Sequence, residues 1–371
     1  MKFHQTRICA VLLLSIAGTS ALASDKVDTG VGPKGIALES SPAFEKGGVT
    51  VDMFNLVRAE TAKYFAEETI LSGGNTMRHE REGIDLDNQT VIRSNFDLIY
   101  SYGVYDVSGG LNVHVPDYDL YHIVQIFDEN HVTLGVVYPG DTVELKREDL
   151  TYGEHVYLFM RTQRRTPDET GKSELNQRQD AVLIEAGSAK PYVSEVKYDP
   201  ESFNALRAEI LVRAASGEMT SDKGFVESIN AIQFPHYQGA SIAGWAGLPG
   251  RHAYYQLITP GDDAAKNGKC SSTTFSAPDL QYDRNGYWSL TIYDAEGWVA
   301  TDPFYTNSST AKPNADGTFT IHVNCGPDKA NNLKAAPNWN GLLRMYLPTD
   351  LDEIIAFGRD LVGNHPVVAV D

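Results

Sequence analysis

Short runs rich in strand-forming residues, separated by turn residues, fill most of the chain, and one of them alternates apolar and polar positions strictly, the signature of a strand with one covered face. Leu111, Val113 and Val115 flank Asn112 and His114, and Pro116 stops the run. His114 falls on the polar side and is expected to face solvent. Further strands are predicted at Ile99–Val107, Tyr121–Phe127, Val132–Tyr138, Thr142–Lys146 and His155–Arg161. The second half repeats the style at Tyr287–Tyr293, Thr318–Val323 and Leu342–Leu347, with turns at Asp294–Gly297 and Asp316–Gly317. Helical spacing occurs in two places. Met53, Leu56, Ala62, Phe65 and Ala66 predict a helix over Val51–Glu68, ended by Ser72, Gly73 and Gly74. Asp199 as cap, Pro200 at the first position and the stripe Phe203, Leu206, Ile210, Leu211, Ala214 predict another, closing at Gly217.

These elements predict a mainly β (α+β) fold of two antiparallel β-sandwich or barrel-like domains with a few peripheral helices. Lys2, Arg7, the apolar run Ile8–Ala17 and the small-x-small Ala21-Leu22-Ala23 read as a signal peptide over 1–23, cleaved after Ala23. A flexible leader is expected at 24–48, an N-terminal β-rich domain at 49–190, a helical connector at 191–235 and a C-terminal β-sandwich domain at 236–371. No later run is apolar for the roughly 18–20 residues that a bilayer span needs, so no membrane insertion is expected after cleavage. A periplasmic or secreted protein is the expectation.

Charge narrows the partners. The chain carries 31 Lys and Arg against 49 Asp and Glu, a formal net charge of −18. Loss of Lys2 and Arg7 would take this to about −20. Nucleic acid and anionic membrane surfaces, which need a basic footprint, are disfavoured. Cys270 and Cys325 remain after cleavage, and an isolated pair in an oxidising compartment reads as a disulfide, or else as two separate buried thiols.

Order and spacing of several motifs resemble a known pair of domains. The stretch from Val91 through Asn95, Phe96, Asp97, Leu98 and Tyr100 to Ser101 resembles the N-R-D-T-L-Y-S strand entry of the domain of unknown function 1254. Ile126-Phe127-Asp128-Glu129-Asn130-His131 is similar to its I-D-E-D-H-Y stretch, and Met160-Arg161-Thr162 to its V-R-T strand end. The second half resembles the domain of unknown function 1214. Tyr287-Trp288-Ser289-Leu290-Thr291-Ile292-Tyr293-Asp294 is similar to its F-W-S-L-T-L-Y-D, Asn314-Ala315-Asp316-Gly317-Thr318 to its N-x-D-G-S/T, and Asn338-Trp339 with Arg344-Met345-Tyr346-Leu347-Pro348 to its close. The resemblance implies β-rich domains and no particular chemistry. Phe96, Leu98 and Val132 depart from the pattern.

Known catalytic signatures are missing. There is no His-Glu-x-x-His, no Gly-x-Ser-x-Gly and no dinucleotide fingerprint. Gly171-Lys172-Ser173 matches only the tail of a phosphate loop, because Thr166 stands at the first glycine. Ser194-Glu195-Val196-Lys197 has neither of its usual companions. No motif names a cofactor or a metal, and oligomeric state is left open.

Two sets of residues carry candidate chemistry. Asp97, Asp128 and His131 stand near strand ends and could form an acid–base group, with Asn95, Tyr100 and Arg161 as binding residues. The same residues also fit turn caps and buried charge pairs. The second set is Trp288, Trp339 and Arg344, with Tyr254, Tyr293 and Tyr346. Aromatic rings on a sheet face line sugar or small-molecule clefts, and they equally fill sandwich cores. Arg344 interrupts an apolar run and wants a partner or a ligand carboxylate. The functions in view are a protein binding a small molecule or glycan between two β domains, a hydrolase or lyase, and a structural subunit of an assembly.

Overall fold

The structure, a computed structural model, describes residues 38–83, 86, 89, 93–166, 168–216 and 218–370. The signal segment, most of the leader and the helix stop at Gly217 lie outside the described residues. Among the described residues there are six α-helices, and the strands form open sheets, mostly antiparallel.

In the first half the order is β1 (Phe44–Val49), α1 (Leu56–Ser72), β2 (Arg78–His79), β3 (Leu98–Asp106), β4 (Leu111–His114), β5 (His122–Asp128), β6 (Thr133–Val137), β7 (Thr142–Leu145), β8 (His155–Gln163), α2 (Glu169–Asp180), β9 (Leu183–Ala186), α3 (Pro200–Ala215) and α4 (His236–Ala243). The second half runs β10 (Ala253–Ile258), α5 (Asp263–Lys266), β11 (Ser271–Phe275), β12 (Tyr287–Tyr293), β13 (Tyr305–Asn307), β14 (Phe319–Val323), β15 (Asn332–Leu333), β16 (Asn340–Tyr346), α6 (Leu351–Asn364) and β17 (Val368–Ala369).

β1 occupies part of the segment read as leader, and bridges from Phe44 and Val49 to Tyr198 tie it down. α1 starts later than its apolar spacing predicts. Asp52 Oδ1 accepts the backbone N–H groups of Phe54 at 2.8 Å and Asn55 at 3.1 Å, which holds that stretch in a turn. Gly73, at φ 87°, then closes the helix on the Thr69 carbonyl. Asp199 and Pro200 open α3 as predicted, with the Asp199 carboxylate accepting from Ser202 N. α2 has no apolar stripe to announce it. Leu175 is its buried apolar side chain, and the Asp168 cap starts it.

The first module is a five-stranded sheet, β2-β3-β8-β5-β6, and a three-stranded sheet, β7-β4-β9. One face of the larger sheet puts Tyr105, Val124, Ile126, Leu158 and Met160 against the smaller sheet. The other puts Tyr102, Val104, Phe127, Tyr157 and Phe159 against the helices. α4 lies within the stretch expected to open the second domain, but its Ile242, with Ala246 beyond it, buries among α1 and α3 residues. α4 therefore packs with the helices of the first module.

The second module stacks β10-β16-β12-β13 on β15-β14-β11-β17. Trp288, Leu290, Ile292, Trp339, Leu343 and Met345 fill the space between, with Ile354 and Leu361 of α6. Cys270 and Cys325 form a disulfide with sulfurs 2.04 Å apart, joining the start of β11 to the end of β14. No helix of the described residues is long and apolar enough to cross a membrane.

Candidate functional site at the module seam

Strand alternation sends the two faces of β12 and β16 to different environments. Trp288, Leu290, Leu343 and Met345 enter the sandwich core, so Tyr287, Ser289, Thr291, Tyr293, Arg344 and Tyr346 face the first module. Across this second face one polar row runs through all four strands: Tyr255 opposite Arg344, Arg344 opposite Ser289, Ser289 opposite Asn307. The first module lays over it the segment before β3 and the ends of β3, β5 and β8. On that side Arg161 lies opposite Tyr100 and Ile123.

Polar contacts stitch the seam. Asn95 Nδ2 donates to the Tyr346 hydroxyl at 2.7 Å, and Asn307 Nδ2 donates to Asp97 Oδ1 at 2.8 Å. The Tyr293 hydroxyl donates to the Ser94 carbonyl at 2.7 Å. Rings interleave as well: Tyr121 lies 5.5 Å from Tyr287 and 4.9 Å from Tyr346, centroid to centroid.

Arg161 and Arg344 are the site's charges, 5 % and 4 % exposed. Arg161 donates to Gln125 Oε1 at 2.9 Å and to the Ala246 carbonyl, and its guanidinium lies 4.0 Å from the Phe159 ring centroid. Arg344 donates to the Tyr293 hydroxyl at 2.8 Å, to the Arg93 carbonyl and to Thr291 Oγ1. All of these partners are neutral. Among the described residues neither guanidinium has a carboxylate oxygen within 4.0 Å.

Asp97 is 4 % exposed. Burial pushes its pKa up, against the Asn307 hydrogen bond and the neighbouring Ser289 and Arg344. Its Oδ2 is buried with no hydrogen-bond partner, as is Ser289 Oγ, which sits beside it outside bonding geometry. Tyr100 stays half-buried, its hydroxyl without a protein partner among the described residues, and burial raises its pKa although Arg344 and Arg161 both favour the phenolate. Tyr255 is half-buried too.

Asp128 and His131 lie elsewhere. β3 and β5 both pair antiparallel with β8, so they run in the same direction. Asp97 precedes β3, beyond the Leu98–Gln163 pair, whereas Asp128 ends β5 opposite Val156. Seven residues of β8 separate these levels, roughly 23 Å at strand rise. The structure does not bring Asp97 together with Asp128 and His131. Asp128 instead organises a turn: Oδ1 accepts from Asn130 N at 3.0 Å and Val132 N at 3.3 Å, and Oδ2 from Thr151 N at 2.7 Å and Thr151 Oγ1. His131, at φ 56°, takes the Ala246 N–H on Nε2 at 2.9 Å, which leaves Nδ1 to donate to Ser241 Oγ at 3.3 Å. Burial pushes its pKa down to about 3, so the ring is neutral.

Trp288 and Trp339 are 0 % and 2 % exposed in the sandwich core, away from the seam. Tyr254 packs against the same core, and its neighbour Tyr255 takes the seam position. The site residues not singled out from the sequence are Tyr255, Ser289 and Asn307. Alternation places Ser289 opposite to core residues Trp288 and Leu290, and that was the available signal. No group of three or more His, Cys, Asp or Glu among the described residues is arranged to hold a metal ion.

Comparison with solved structures places the fold. The VPA0106 protein from Vibrio parahaemolyticus matches with a TM-score of 0.62 over 86% of this chain and 97% of its own, at 16% identity, a likeness of fold alone. An uncharacterised protein from Burkholderia cenocepacia matches at 14% identity and a TM-score of 0.45, over 80% of this chain and 84% of its own. No curated protein matches. Residues 74–185 match the family described as protein of unknown function DUF1254, and residues 251–350 the one described as protein of unknown function DUF1214. The chain therefore carries a DUF1254 domain followed by a DUF1214 domain, and the candidate site lies where the two meet.

Proposed function

We propose that this is an exported binding protein that holds a small anionic molecule at the seam between its two modules. The observation carrying this reading is the pair Arg161 and Arg344, each buried and each without a carboxylate within 4.0 Å among the described residues. An unpaired buried charge is costly, so such a group is retained where an anion completes it. Half-buried Tyr100 and Tyr255 give the site an edge that solvent reaches. The signal pattern ending at Ala23 and the disulfide support export to an oxidising compartment.

Thermal-shift measurements with small carboxylates and inorganic phosphate test the reading. An anion that prefers the native state raises the melting temperature. Arg161→Met and Arg344→Met keep similar volume without the charge, and each is expected to abolish the anion-dependent shift while the anion-free protein stays folded. No shift with any anion, together with strong destabilisation in both variants, would assign the arginines to structure alone.

A further inference from the structure

The first module holds a cavity of about 330 Å³ on its open side, away from the seam. It forms where β2 and β9 end their sheets. β2 is two residues long and β9 four, so neither edge closes the space between the layers. Met77, Tyr105, Met160, Val182 and Ile184 line it, and His79 and Asp180 stand among them. Small-molecule sites have volumes of this order.

Hydrogen bonds fix which nitrogen of His79 carries the proton. Arg81 can only donate, so Gln179 turns Oε1 toward its Nη1 at 3.0 Å. The Gln179 amide nitrogen then donates to the Glu80 carbonyl at 2.9 Å and to Ser101 Oγ at 3.2 Å. Ser101 is fully buried, and His79 Nδ1, 2.8 Å away, is the acceptor left for its own proton among the described residues. Nδ1 is therefore bare, and Nε2 carries the hydrogen. Burial and the nearby Arg81 outweigh Asp180 and push the pKa of the ring down to about 4, so it is neutral. Its Nε2 lies 4.0 Å from Asp180 Oδ1, too far for a direct hydrogen bond. One hydroxyl oxygen fits that gap, accepting from Nε2–H and donating to the carboxylate over two bonds of about 2.8 Å.

The rest of the lining narrows the ligand. Asn75 is taken up by Asp106 N and the Lys190 carbonyl, and Gln179 by the partners above. The Thr76 and Tyr105 hydroxyls can each donate or accept, so they do not select. An anion would meet the Asp180 carboxylate, and an ammonium would set its N–H groups against that of His79. Two thioethers in the lining favour an aromatic ring over an aliphatic body. We infer that this cavity binds a small neutral phenol, its hydroxyl between His79 and Asp180 and its ring against Met77 and Met160.

Isothermal titration of the full chain with phenol, anisole and benzoate tests it. Phenol is expected to bind about tenfold tighter than anisole, whose oxygen accepts from His79 but cannot donate to Asp180. Benzoate is expected not to bind measurably at this cavity. Asp180→Ala removes the acceptor at an exposed position and should bring phenol down to the affinity of anisole. Ile184→Trp fills the cavity and should abolish phenol binding. No phenol binding, equal affinity for phenol and anisole, or unchanged phenol binding in a folded Ile184→Trp protein each overturns the inference. Should either variant fail to fold, the comparison of phenol with anisole on the unaltered protein decides. Phenol is uncharged, so anion binding at the seam stands or falls separately.

Discussion

Glu129 follows Asp128 in the turn that leaves β5, 7 % exposed, and its Oε2 accepts the Tyr192 hydroxyl at 2.9 Å. Burial, outweighing that hydrogen bond and helped by the nearby Glu195 and Asp128, pushes its pKa up to about 7 from 4.5. The folded chain thus holds a proton that the unfolded chain releases first. Stability from this group is complete below about pH 4.5 and is lost as pH rises to about 7. Glu129→Gln carries no such proton. Denaturant unfolding of the two proteins across pH 4–8 should show the unaltered chain losing ground to the variant by at most roughly 1.4 kcal/mol per pH unit inside that window. A constant difference between them would mean that Glu129 is ionised throughout. At the same scale, Arg344 stood out in the sequence because a charge broke an apolar run, and it does reach the seam. Trp288 stood out on residue type alone. Its alternation with Ser289 and Leu290 decides its side, and it faces the core.

The turn between β5 and β6 shows why strand ends were hard to place as a group. Asp128 and His131 belong together, as their spacing suggested, but their polar atoms are taken up by backbone N–H groups and hydroxyls of their surroundings. Asp97 lies at the far end of the sheet because β8 intervenes between β3 and β5. Periodicity reveals that a strand exists and which side is covered. It carries no information about which strand lies next, and that order decides which ends meet. The same limit hid α2, whose segment is polar but for Leu175, and the packing of α4 against α1 and α3. α6 was open to reading: Asp350 caps it, and Ile354 and Leu361 fall on one face. For the β5–β6 turn the structure makes a specific claim. Asp128→Ala strands four donors, two of them buried, and should lower unfolding free energy by roughly 2–4 kcal/mol. The affinity of the seam for anions, measured by titration on folded protein, should change by less than about threefold, since the Asp128 carboxylate bonds Asn130, Val132 and Thr151 and none of Arg161, Arg344 or Asp97. Loss of binding in a stably folded Asp128→Ala protein would move the functional centre to this turn.

At the scale of the whole molecule the two modules are joined by more than the chain. One cluster of buried side chains takes Leu98, Tyr121, Ile123 and Tyr138 from the first and Ala253, Tyr287, Tyr346 and Leu347 from the second. A smaller one sets Phe96 against Phe304, ring centroids 5.0 Å apart. Around them Gln89 exchanges hydrogen bonds with the Val299 backbone at 2.7 and 2.8 Å, and the Tyr138 hydroxyl meets His252 Nδ1 at 2.7 Å. His252 Nε2 in turn lies 3.1 Å from Glu227 of the connector. Separating the modules would expose those rings and leave Arg161, Arg344 and Asp97 at new surfaces. Each module therefore depends on the other for a face of its core, and the fold itself holds the seam together. Calorimetry should then record one unfolding transition, with the van't Hoff and calorimetric enthalpies equal, and both modules should melt together with the disulfide intact. An anion bound at the seam should raise that single transition without splitting it, because its contacts come from both sides. Two transitions, only one of them moved by ligand, would show that the modules fold independently and that one alone carries the site.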